Sequence, residues 1–137
     1  MPDFAYPSLD GDTARLSSQR GRVVLVNVWA TWCPPCREEM PSIQRLYDAY
    51  RDSGFTVLAV SIDVDTAAVR PFVKELGLTF PILFDPAGSI IKLYGTVGVP
   101  ESFVGDKEAT LVLRRVGADD WFSTSNQRLI AALLHVP

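Results

Sequence analysis

The sequence predicts an α/β domain built on a central mixed sheet with helices on both faces. Three observations predict it. Near-continuous apolar, β-branched runs at residues 23–29 and 55–62 read as strands covered on both sides. Apolar residues at helical spacing follow each run, and a strand pair with one further helix closes the chain.

Taken in order, residues 2–21 carry Pro7 and an Asp10-Gly11 turn and read as an extended arm or hairpin rather than a separate domain. The 23–29 strand follows. Ile43, Leu46, Tyr47 and Tyr50 then recur at helical spacing, with Arg45, Asp48, Arg51 and Asp52 on the other face, until Gly54 stops the helix. After the 55–62 strand, Val69, Phe72, Val73 and Leu76 mark a second helix closed by Gly77. Residues 80–84 read as a short strand and 87–94 as a short helix. Phe103-Val104 with residues 110–116 read as a strand pair, and Leu129, Ile130, Leu133 and Leu134 as the last helix. A single domain over residues 1–137, without repeat or linker, is the expectation.

Bulk properties remove several function classes. With 47% apolar residues in 137, the chain can bury a full core. Its formal charge of −3 comes from interspersed acids and bases, and Arg114-Arg115 is the densest basic stretch, so no footprint for nucleic acid or an anionic membrane exists. The longest apolar stretch falls well short of the roughly 20 residues that span a bilayer. Met1-Pro2-Asp3 reads as a start set directly before a mature domain, with signal and anchor absent from this segment.

Both cysteines lie in Trp32-Cys33-Pro34-Pro35-Cys36, between a buried strand and a helix. Two cysteines at this spacing around a helix N-terminus can close a disulfide within one turn. Cys33, the outer one, meets the positive end of the helix dipole and unpaired backbone donors, which stabilise a thiolate and make it the nucleophile. Cys36, one turn inward, stays protonated until it resolves the mixed disulfide. Pro34 and Pro35 shape the loop, and Pro34 suits a first helical turn that needs no N–H. Zinc wants four ligands, and the other candidate of that type is His135, about a hundred residues away. Iron–sulfur clusters want four cysteines. Covalent haem attachment wants His after the second Cys, where Arg37 stands. Thiol exchange remains, with no cofactor or metal beyond the Cys33–Cys36 pair.

The chain resembles the thioredoxin superfamily, and within it the TlpA/ResA-type thiol-disulfide oxidoreductases of cytochrome c maturation. The resemblance is carried by Pro2-Asp3-Phe4, Leu9-Asp10-Gly11, the stretch from Val24 to Pro41 through the CPPC motif, and Gly98-Val99-Pro100-Glu101-Ser102-Phe103. It implies a thioredoxin-like fold with an N-terminal hairpin arm and a strand-helix insertion supplied by residues 62–84. It also implies a cis Pro100 that sets Val99 beside the dithiol to pair with an extended peptide, and a helix-kinking Pro41. Thioredoxin has a buried Asp where this chain has Asn27, and an amide cannot take the proton. Glu39, three residues after Cys36 on the same helical face, is the natural replacement and completes a catalytic set of Cys33, Cys36 and Glu39. Burial should raise its pKa toward neutrality. The plain alternative is a solvated first-turn acid like Glu38. Glu101 resembles the acid of the more specialised cytochrome c maturation members and implies a partner contact alongside Trp32, Val99 and Pro100. Its plain alternative is an exposed edge-strand acid. The turn at residues 104–109 departs from the family's Leu-Ile-Asp pattern.

By the resemblance, the partners are a protein disulfide, apocytochrome c being one candidate, and an upstream thiol reductant. The domain is expected to be a monomer, to work in the periplasm or elsewhere outside the cytoplasm, and to reduce rather than oxidise. Two other readings stand beside this one. A peroxiredoxin-like peroxidase would carry Thr or Ser three residues before its attacking Cys, where Cys33 and Cys36 have Ala30 and Cys33. A partner-binding module would use the groove at Pro100 without chemistry. Trp121 after Asp119-Asp120 reads as an ordinary approach to the last helix, His135 as exposed, and Asp63 with Asp65 as a turn that needs no metal.

Overall fold

The computed structural model describes residues 1–135; the last two positions of the expected 1–137 domain lie outside the described residues. The N-terminal arm is a small antiparallel hairpin of β1 (Ala5–Pro7) and β2 (Thr13–Arg15). The main sheet comprises β3 (Val23–Trp29), β4 (Phe55–Ser61), β5 (Ile82–Phe84), β6 (Glu101–Gly105) and β7 (Leu111–Val116). Its spatial order is β5-β4-β3-β6-β7. The β3–β4 and β4–β5 pairs are parallel, whereas β3–β6 and β6–β7 are antiparallel, which is the mixed sheet expected. The helices are α1 (Pro34–Tyr50), α2 (Val69–Leu76), α3 (Ser89–Tyr94) and α4 (Thr124–His135).

Side-chain alternation along β3 divides the core and fixes which residues meet the dithiol helix. Val23, Leu25 and Trp29 face Met40, Ile43 and Leu46 of α1, together with Trp121 and Ile130. Val24, Val26 and Val28 face Leu83, Ile90 and Phe103 on the other side. Asn27 shares the parity of Leu25, so its amide is placed on the α1 face. Ser102, opposite Asn27 in the β3–β6 register, shares that face, and Glu101, opposite Val28, takes the other.

On α1 the buried positions are Cys36, Glu39, Met40, Ser42, Ile43 and Leu46, a stripe at helical spacing that carries one acid into the core. The helix runs through Pro41. Two elements after β4, β5 and α3, start later than the sequence suggests, whereas β6 starts earlier, at Glu101. Pro81 has no N–H to give a ladder, and β5 begins after it; Gly88, left-handed at φ 69°, delays α3 to Ser89. The strand-helix insertion consists of α2 and β5, and β5 forms one sheet edge.

Candidate active site

Cys33 and Cys36 are joined as a disulfide at the start of α1, with a Cα–Cα distance of 5.3 Å. Cys33 is the N-cap, its sulfur accepts the Cys36 backbone N–H at 3.3 Å, and Pro34 and Pro35 occupy the first helical positions, where no N–H is needed. Cys33 retains slight exposure at 4% and Cys36 has none, the order required of an attacking and a resolving sulfur. The Val99–Pro100 bond is cis, and the Val99 carbonyl oxygen lies 3.6 Å from the Cys33 sulfur. Trp32 is 65% exposed and, with Ile62, Ile91, Thr96, Val97 and Val99, borders an apolar recess next to the dithiol. Cys33 and Val99, 66 positions apart in the chain, meet at one end of the sheet, where β3 finishes and β6 begins.

The loop that presents the dithiol is braced from β4. Asp63 is buried, and its carboxylate accepts the Thr31 N–H, the Thr31 hydroxyl and the Ser61 hydroxyl, the last two at 2.6 and 2.5 Å. Asp63 is thus a buried anchor for this loop.

Glu39 is buried at 2% exposure and is not the solvated acid of the plain alternative. Its Oε1 accepts from the Asn27 amide at 3.0 Å. Its Oε2 accepts from the Asp119 N–H and the Trp121 indole N–H, both at 3.0 Å. Burial pushes the carboxyl up to about 7, against the lowering effect of the Trp121, Asp119 and Asn27 hydrogen bonds and with a further upward push from the Asp119 charge. A buried carboxyl that changes charge near neutrality, three residues from the resolving cysteine, can take and return a thiol proton. Trp121 and Asp119 therefore belong to the site, contrary to the reading of this stretch as a mere approach to α4. Nothing in the spacing links positions 39 and 121; the one available signal is that a buried indole N–H requires an acceptor.

Glu101 corrects the sequence expectation. It is fully buried on β6, which lies between β3 and β7, so it is no exposed edge-strand acid and presents no surface of its own in this structure. Its Oε2 takes a two-pronged contact from Arg114 at 2.9 and 3.0 Å, and its Oε1 accepts the Val97 N–H at 3.1 Å. Arg114 also donates to the Gly95 carbonyl. The pair holds the 95–99 segment that sets Val99 against Cys33.

A dithiol at a helix N-terminus, facing a cis-proline from a mixed sheet with this strand order, defines the thioredoxin-like class. Within that class the chain belongs to the AhpC/TSA family, whose model matches residues 1–114. It is 39% identical over 111 residues to the thiol-disulfide oxidoreductase ResA of Bacillus thuringiensis subsp. konkukian, and 40% identical over 106 residues to ResA of Geobacillus thermodenitrificans. These alignments cover 81% and 77% of this chain but 64% and 61% of the relatives, so the chain spans less than two thirds of their length. Among solved structures it is similar to one from Chlorobium tepidum provisionally assigned as thiol:disulfide interchange protein DsbE, with TM-score 0.90 and 35% identity, covering 97% of this chain and 94% of that one. A secreted thiol-disulfide isomerase from Corynebacterium glutamicum superposes with TM-score 0.89 at 26% identity, covering 99% and 86%.

Proposed function

We propose that the protein is a thiol-disulfide oxidoreductase that reduces disulfides of partner proteins outside the cytoplasm. The observation that carries this is the Cys33–Cys36 disulfide at a helix N-terminus, with one sulfur slightly exposed, the other fully buried, and a buried Glu39 with a pKa of about 7 three residues further along α1. In the reduced protein the Cys33 thiolate attacks one sulfur of the partner's disulfide. A Cys33–partner disulfide forms and the other partner sulfur leaves as a thiolate, taking a proton from water. Cys36 gives its proton to the Glu39 carboxylate and attacks Cys33. The intramolecular disulfide closes, the second partner thiolate departs, and two electrons have moved from this protein to the partner. No cofactor takes part, and an external thiol reductant restores the dithiol.

Trp32 and the cis Val99–Pro100 segment receive the partner, an extended backbone pairing with Val99 while the apolar recess covers a neighbouring side chain. A disulfide-bearing polypeptide such as apocytochrome c fits this reading, as the family resemblance implies. Work outside the cytoplasm is supported by that resemblance and by the secreted C. glutamicum relative. Among the described residues no helix is long and apolar enough to cross a membrane.

The test is a single-turnover transfer from reduced protein to a disulfide-closed peptide, with thiols counted on both sides. One peptide disulfide opened for each Cys33–Cys36 disulfide formed is the expected result. Rapid oxidation by hydrogen peroxide without transfer to the peptide would point to a peroxidase instead, and binding without any thiol change to a docking module.

A further inference from the structure

The two oxygens of Glu39 are held differently, and the difference originates eighty residues away. Oε2 receives two N–H groups, from the Asp119 backbone and the Trp121 indole, and Oε1 receives one, from Asn27. Trp121 is fully buried, so its N–H has no recourse to water. Its backbone is tied to α1 by the Ser42 hydroxyl, which accepts the Trp121 N–H at 3.0 Å and donates to the Glu39 carbonyl at 2.7 Å. A proton placed on Oε2 would face two donors, one of them a main-chain group that cannot turn away. On Oε1 it faces only a side-chain amide whose other atom, Asn27 Oδ1, is buried without a partner and is free to accept it once the amide turns over.

We propose that Trp121 is a positioning residue for proton transfer, which together with the Asp119 N–H reserves Oε2 as a permanent acceptor and directs the Cys36 proton to Oε1. This deepens the function proposed above and rests on it. The charges facing Glu39 fit the assignment. Asp119 is paired with Arg115 at 3.2 Å and bonded by Asn126 at 3.0 Å, so its carboxylate has donors of its own and does not draw on those of Glu39. From β3 and β6 the contacts are the neutral Asn27 and, through it, Ser102. Glu38, Arg45 and Asp120 border a polar recess of about 390 Å³ that ends at Glu39 and shares no residue with the recess beside Trp32.

The experiment reads the hydrogen bond directly and needs no disulfide substrate, so its outcome is independent of whether the exchange reading holds. In the oxidised wild-type protein the Trp121 indole N–H resonance should shift with a midpoint matching that of the Glu39 carboxyl carbon, and should lose that step in Glu39→Gln. In Trp121→Phe, which keeps a ring and removes the donor, the Glu39 midpoint should rise by about one pH unit, roughly a tenfold gain in proton affinity. A variant that is merely less stable, with the Glu39 midpoint unmoved, would overturn the proposal. Should the variant fail to fold, the wild-type titration decides alone: an indole resonance that does not follow Glu39 would overturn it.

Discussion

A Cys36→Ser protein, reduced and mixed with a disulfide-closed partner, should accumulate as a covalent adduct through Cys33, whereas Cys33→Ser should form none. The expected contrast is close to all-or-none because the two sulfurs occupy different places. Cys33 is the N-cap of α1, its sulfur is within reach of a backbone N–H, and it has the only solvent exposure of the pair. The helix terminus favours its thiolate, and the thiolate alone is the nucleophile. Cys36 is sealed and can meet only a sulfur already bonded to Cys33. Without it the mixed disulfide has no internal exit and must await an external thiol. Mass spectrometry of the quenched mixture reads the outcome; equal adducts on both cysteines would mean that the assignment of roles is wrong.

Replacing Glu39 with Gln should slow the resolving step by on the order of a hundredfold at neutral pH and remove a step in its pH profile. In the wild-type protein that rate should climb through about 7 as the carboxyl ionises and becomes able to accept the Cys36 proton. Gln offers no such acceptor. The fold should tolerate it, since the unpartnered Asn27 Oδ1 can turn to receive the new amide N–H. The same carboxyl leaves a mark on stability. Its folded pKa of about 7 lies above the 4.5 of the free side chain, so the folded chain binds the proton more tightly than the unfolded one. Stabilisation from the protonated form is full below the unfolded value and is lost as pH rises through the folded value. Between acid and mildly alkaline solution the wild-type stability relative to Glu39→Gln should therefore fall by on the order of 3 kcal/mol, which denaturant unfolding can follow. A constant difference across that range would show that Glu39 does not titrate inside the fold.

What was legible in the sequence was local. The 23–29 run could only be a central strand, since the single polar residue Asn27 gives it no solvent face, and its bounds in the structure are the same. The CPPC spacing needed only its place between strand and helix to identify the dithiol. Glu39 could be suspected from its three-residue offset to Cys36, because helical geometry alone puts the two on one face. The misreadings share a cause, which is dependence on a neighbour distant in the chain. Glu101 looked exposed because β7, the strand that makes β6 internal, comes after it, and its partner Arg114 lies on that strand. Trp121 looked incidental because its acceptor is 82 residues away on α1. Single-residue chemistry says that a buried acid or indole needs a partner, and only the packed sheet says which one.

The central claim is that the Cys33–Cys36 pair is a reductant of other disulfides. Its most direct test is the equilibrium reduction potential, measured by equilibrating the protein in graded glutathione buffers and trapping its thiols. Dithiols of this type span about −270 to −120 mV. The account predicts a value near or below about −220 mV, where the dithiol gives electrons to oxidised partners. A value near −120 mV would contradict it, because a pair so poised would take electrons from its partners and install their disulfides instead.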